Sequence, residues 1–184
     1  MTDDLTEWDD ARTLADLGEL TARWLEGTLD WHPNVTPGSG PDNETAELVP
    51  VLARLNRLGL VTKGSQPAWL SEEGDGQRAW VSAFCTEDTV DRIRAAVHGT
   101  DLIVIASPPG DETDQAVEIS IYDGIENTWG GRPDSVAHIE HFMGYQSPNA
   151  LDALKAAWQI DVIDPEWGRE DLLWDTLTQR WVWA

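Results

Sequence analysis

Hydrophobic positions recur along the chain in two rhythms, one of three to four residues and one of two, and these rhythms predict its elements. Thr13-Leu14-Ala15-Asp16 has the spacing of a capping box, and Leu17, Leu20 and Trp24 follow at helical intervals until Gly27, which predicts a first helix. A second helix is predicted over 43–58, with Leu48, Val51, Leu52, Leu55 and Leu58 on one face and Gly59 at the C-cap position. Pro50 must kink that helix or mark its true start. Between the two, prolines and glycines at 31–43 predict a long loop. Over 77–85, Ala79, Val81 and Ala83 alternate with Trp80 and Phe84, so a strand there is apolar on both faces and belongs in the middle of a sheet. Thr86 caps a third helix whose inner stripe is Val90, Ile93 and Val97, stopped by Gly99.

Leu102-Ile103-Val104-Ile105-Ala106 is a short β-branched run, hence a buried strand, and Pro108-Pro109-Gly110-Asp111 turns the chain after it. Val117, Ile119 and Ile121 alternate with Glu118, Ser120 and Tyr122, which predicts a strand with one wet face. Ser147-Pro148 pairs a cap with proline at the first helical position, opening a helix with Leu151, Leu154 and Trp158 inside. Ile160, Val162 and Ile163 make a brief strand, and Asp164-Pro165 repeats the cap-plus-proline signal ahead of Leu172, Leu173 and Leu177. This irregular order does not suit repeated βαβ units. It predicts one α+β domain over 1–184, a mixed sheet of about four strands packed with five or six helices.

Charge changes the functional picture more than the fold. Twelve Lys+Arg against 34 Asp+Glu leave a net charge of −22 over 184 residues, and only two of the cations are lysines. Nucleic acids and anionic membranes bind by drawing basic side chains to phosphates, so neither is expected as a direct ligand. One cysteine, Cys85, cannot form an internal disulfide. The acidic start Met1-Thr2-Asp3-Asp4-Leu5 lacks the basic and apolar regions of a signal peptide, and no apolar run approaches the roughly 18 residues of a membrane span. The expected location is the cytoplasm.

Residues 8–27 (WDDARTLADLGELTARWLEG), the run Leu55-Asn56-Arg57-Leu58-Gly59-Leu60-Val61-Thr62 leading to Ser65-Gln66-Pro67, and residues 164–174 (DPEWGREDLLW) together span most of the chain. In these stretches it resembles an uncharacterised family of small proteins from streptomycetes, related actinobacteria and their phages, in which an N-x-x-G-x-x-T-x-x-S-Q-P segment follows such an opening. Ala68 stands where the family pattern has a glycine. The resemblance implies an origin and no activity.

Catalytic chemistry is sparse. There is no phosphate-binding glycine loop, no nucleophile elbow around Ser107, and too few cysteines for a zinc thiolate site. Cys85 ends a predicted buried strand, where an inert thiol is expected. Asp134, His138 and His141 fall at i, i+4 and i+7, the donor types of a two-histidine, one-carboxylate site. Val136, Ile139 and Met143 claim the opposite face as the buried one, which turns those donors outward, away from a shell that could hold a metal. No catalytic residue, metal or cofactor is therefore assigned. Trp167, Trp174 and Trp181 recur every seven residues and read as a core stripe on one last helix, with Trp183 as a candidate partner contact.

Two functional readings remain. In the first, the acidic surface is the working part, with Asp9 and Asp10, then Glu87, Asp88 and Asp91, then Asp164, Glu166, Glu170 and Asp171. Carboxylates one helical turn apart stand about 5–6 Å from one another, near the phosphate spacing of a nucleic-acid strand. A monomer or homodimer of this kind would bind a basic-surfaced protein as a nucleic-acid mimic, for instance an inhibitor of a defence nuclease. Ordinary acidity for solubility is the competing explanation of the same charge. In the second reading, Asn56, Thr62, Ser65, Gln66 and Arg78 form a polar pocket between aromatic walls Trp69 and Trp80, taking a nucleotide or sugar. The same groups could equally satisfy one another and their own loop.

Overall fold

The computed structural model describes residues 2–33, 35, 36, 39–142 and 147–181. Two helices open the chain, α1 (Thr2–Asp10) and α2 (Leu14–Leu25). At the start of α2 the capping box forms as the sequence predicts. Thr13 Oγ1 accepts from the Asp16 amide at 3.1 Å, and the Asp16 carboxylate accepts from the amides of Thr13 and Arg12 at 3.0 Å. The 31–43 stretch leads to a tight 3-10 segment, Asn43–Leu48, and then to α3 (Val49–Arg57). Pro50 sits in the first turn of α3, so it marks the true helix start.

Among the described residues eight strands follow in two sheets, all paired antiparallel. The first sheet has the order β1 (Val61–Gln66), β4 (Trp80–Cys85), β8 (Trp158–Ile163), β5 (Ile103–Ser107). The second has the order β2 (Trp69–Leu70), β3 (Gly76–Gln77), β6 (Val117–Tyr122), β7 (Ile125–Gly130). The helices between and after them are α4 (Glu87–Val97), α5 (Val136–Phe142), α6 (Leu151–Lys155) and α7 (Leu172–Thr176). The class is α+β, with two antiparallel sheets in place of the expected mixed one. Strands β1, β2 and β7 escape the pattern because their residues alternate in polarity weakly or not at all.

Register explains why β4 is apolar on both faces. Val81, Val162 and Val104 lie in one row and join the main core with Val90, Ile93, Leu173, Leu177 and Trp181. The neighbouring row, Trp80, Ile163 and Ile103, faces the second sheet and meets Ile119, Ile105 and Val117 in a smaller cluster. The first sheet is thus covered on both sides.

The end of the chain departs from its sequence pattern. Asp164-Pro165 opens no helix; 164–171 is irregular and α7 begins only at Leu172. The Asp164 carboxylate accepts instead from the Glu166 amide at 2.9 Å and from Arg169 Nε at 2.8 Å, and Gly168 takes a positive φ of 72° that ends any helical course. After α7 the chain widens into a π-turn, Leu177–Trp181. The tryptophan stripe is therefore split: Trp174 and Trp181 are buried in the core, while Trp167 lies half-buried under the Arg78 guanidinium, 4.5 Å from its ring centre. The predicted helix around Leu151 is also short, because Trp158 is already the first residue of β8. Trp183 and Met143 lie outside the described residues.

Candidate functional site

The residues first read as a pocket do not gather around one space. Asn56 is buried and fully engaged: its Nδ2 donates to the Leu52 carbonyl and to Thr62 Oγ1, both at 2.9 Å, and its Oδ1 accepts from the Thr62 amide at 3.0 Å. It pins the end of α3 to the start of β1, a structural task. Thr62 and Ser65 stand on β1, next to cavities described below. Gln66 ends β1, Trp69 packs against Tyr122 in the second sheet at 5.8 Å, Trp80 donates its indole N–H to Asp161 at 2.7 Å, and Arg78 donates to the Glu118 carbonyl at 3.0 Å. These four line neither cavity. The expected loop is a strand, so its side chains alternate between opposite faces and cannot converge.

The acidic groups divide by burial. Asp9, Asp10, Glu87, Asp88, Asp91, Glu166, Glu170 and Asp171 are exposed. Asp164 is 0% exposed and bound to Arg169, which removes it from any acidic surface. Asp161, on the central strand β8, is buried too, and burial raises its carboxyl above the usual range against the pull of the Trp80 hydrogen bond.

A cavity of about 500 Å³ lies beside the free edge of β1. Trp8 of α1, Leu17 and Thr21 of α2, and His32, Pro33 and Val35 after α2 line it. So do Val61, Thr62 and Lys63 of β1, Phe84 of β4, and Asp134, His138 and Ile139 at α5. A smaller hollow of about 190 Å³ adjoins it, sharing Thr21, His32, Val35, Thr62 and Lys63 and adding Trp24, Asp42 and Ser65 among its walls. Aromatic rings hold the upper wall: His32 meets Trp8 edge-on at 5.0 Å and Trp24 at 4.6 Å, and the Trp8 indole donates to the Trp31 carbonyl at 3.1 Å.

One charged group reaches this space from β1. The register between β1 and β4 slips at Lys63, a bulge that re-aims the side chain. Lys63 Nζ donates to Asp134 Oδ2 at 2.9 Å and to Gln159 Oε1 at 2.8 Å, and it lies 4.9 Å from the Phe84 ring centre. Gln159 also ties both backbone groups of Asp134, accepting from its amide and donating to its carbonyl at 2.8 Å. Asp134 is thus turned inward, whereas His138 and His141 are exposed, so the triplet with metal-ligand spacing is divided. His138 Nε2 remains 3.6 Å from Asp134 Oδ1 at the cavity rim. Among the described residues no three His, Cys, Asp or Glu side chains are grouped so as to hold a metal ion. Cys85 is buried, and burial pushes its thiol up to about 12, so it carries no nucleophile at neutral pH. Sequence reasoning missed Trp8, His32, Lys63 and Phe84 as cavity residues. The available signals were Lys63 as one of only two lysines and the aromatic step Trp31-His32 at the edge of the proline-rich stretch.

Burial lowers His32 to about 4, so its imidazole stays neutral in the folded protein. The unfolded histidine takes up its proton near the ordinary 6.5. Between those values the unfolded chain binds the extra proton, so stability is full above pH 6.5 and falls as pH drops towards 4. Relative to His32→Gln, the native protein should lose about 1–2 kcal/mol between pH 7 and 4.5, allowing for the half-buried ring. Urea unfolding at the two pH values measures this, and parallel pH dependence of both proteins would remove His32 as the cause.

Among the described residues no helix is long and apolar enough to cross a membrane. Residues 3–182 match the model of a family described as Domain of unknown function (DUF6919). No curated protein matches the chain.

Proposed function

We propose that this chain, which belongs to the family DUF6919, is a small-molecule-binding protein that holds its ligand in the cavity between α2, β1 and α5. The observation that carries the reading is the cavity itself: about 500 Å³, lined by apolar and aromatic side chains together with Thr21, Thr62, Lys63, Asp134 and His138. Those are the dimensions and lining that ligand sites share. Lys63 supports it further. An ammonium has three donors, and among the described residues two are used, by Asp134 and Gln159. The third can meet an acceptor on a ligand.

A fragment collection screened by thermal shift tests the reading. A ligand present at 100 times its Kd stabilises the fold by about 2.7 kcal/mol. His138→Trp should abolish the shift, because the exposed rim histidine can be enlarged to close the entrance without disturbing the core. Hits that survive the plug, or no hits at all, would count against the cavity.

A second reading keeps the acidic surface as the working part in the cytoplasm of an actinobacterial or phage-infected cell. The exposure of Glu87, Asp88 and Asp91 on the first turns of α4 favours it, with Arg94 3.6 Å from Asp91. Neutralising the three to Gln, Asn and Asn should then abolish salt-sensitive capture of a basic nuclease, while the cavity plug leaves that capture unchanged.

A further inference from the structure

Resting on the cavity reading, we infer that the ligand is a flat aromatic molecule without negative charge, bound with a hydrogen-bond acceptor directed at Lys63. The walls supply the flat, aromatic part. Trp8 and His32 meet at 77°, and Phe84 joins them in the lining, so three aromatic rings border the space. Such a lining favours a ring, which packs against aromatic side chains, over a flexible chain.

The absence of negative charge follows from the lining. Among the described residues around both hollows Lys63 is the one lysine or arginine, and Asp134 neutralises it at 2.9 Å. Asp42 adds a second carboxylate at the smaller hollow. Neutral His32 adds no positive charge. The two hollows therefore carry a slight negative excess, inside a molecule whose net charge is −22. A phosphate or carboxylate entering there would leave water, meet no unpaired cation, and work against the field of the whole surface. A neutral amide or carbonyl meets neither penalty, and the remaining Lys63 donor satisfies it.

Three probes of one shape separate charge from fit: indole-3-acetamide, indole-3-acetate and tryptamine. Binding is followed by NMR shifts of the Lys63, Phe84 and His138 backbone amides and by titration calorimetry. At about 0.02 M salt, indole-3-acetate is expected to bind about tenfold more weakly than the amide, and the gap should narrow at about 0.5 M as the field is screened. In Asp134→Asn the lysine keeps an acceptor but loses its neutralising charge, so the acetate should gain at least severalfold on the amide. If the acetate matches or exceeds the amide in the native protein, or gains nothing in Asp134→Asn, the charge assignment is overturned while the cavity stands. If no probe moves those amides, the cavity reading itself fails.

Discussion

Replacing Arg169 with methionine is expected to cost about 3–5 kcal/mol of folding stability. Asp164 is completely buried, and Arg169 is its charged partner: Nε lies 2.8 Å from Oδ2, and Nη2 lies 2.6 Å from Oδ1. The same guanidinium reaches Asp101 at 2.8 Å and Glu166 at 3.1 Å, and its hydrogen bonds to Asp164 first and Asp101 second hold its pKa above the usual arginine value. Methionine fills much of the arginine volume but leaves the carboxylate in a low-dielectric site with, among the described residues, one amide donor, that of Glu166. An uncompensated buried charge is among the costliest single defects a domain can carry. Asp164→Asn should be milder, because the amide oxygen still accepts from Glu166 and the guanidinium keeps two other acidic partners. Denaturant unfolding of both variants measures the difference. A loss below about 1 kcal/mol for Arg169→Met would mean that water or a neighbouring group takes over the arginine's role.

The second large effect is expected at Gly18, in the middle of α2. Helix propensity predicts that a side chain here helps, by up to about 1 kcal/mol for alanine. Packing reverses the sign. A Cβ at this position would press well inside contact distance of the Asn56 carbonyl oxygen and lie 3.2 Å from its carbon. That carbonyl is backbone, at the end of α3, and it accepts from the Gly59 amide at 3.1 Å, so it cannot rotate aside. Gly18→Val must push α2 away from α3 and should cost about 3 kcal/mol, with alanine costing less but still destabilising. Leu17 and Thr21 of α2 line the cavity, so the ligand-induced thermal shift should shrink in the same variants. Unchanged or increased stability in Gly18→Ala would show that the two helices separate at no cost.

The contrast between these two sites recurs across the molecule. Periodicity alone marks α2, α4 and the central strand β4, because each has a burial pattern written in consecutive residues: Leu17, Leu20 and Trp24, then Val90, Ile93 and Val97, then Val81 and Ala83 against Trp80 and Phe84. The capping boxes and stops are equally local. Thr13 and Asp16 satisfy each other's amides wherever that helix packs, and Pro50 sets the start of α3 by its own missing N–H. The excess of acid is legible too, and with it the expectation that nucleic acid is not a direct ligand.

What tertiary structure decided depends on partners distant in sequence. Asp164 reads as a helix cap, yet the approach of Arg169 and Asp101 turns it into a buried ion-pair centre. Asn56 reads as a pocket group, yet its hydrogen bonds go to Thr62 of β1 and to the Leu52 carbonyl of its own helix. The cavity is assembled from Trp8, His32, Lys63, Phe84 and Asp134, which no motif connects. Lys63 and Asp134 are 71 residues apart and meet only because a bulge in β1 aims one while Gln159 of β8 holds the other. A local pattern records which face of an element leaves water. It does not record which faces meet, and the space left between α2, β1 and α5 is set by that meeting alone.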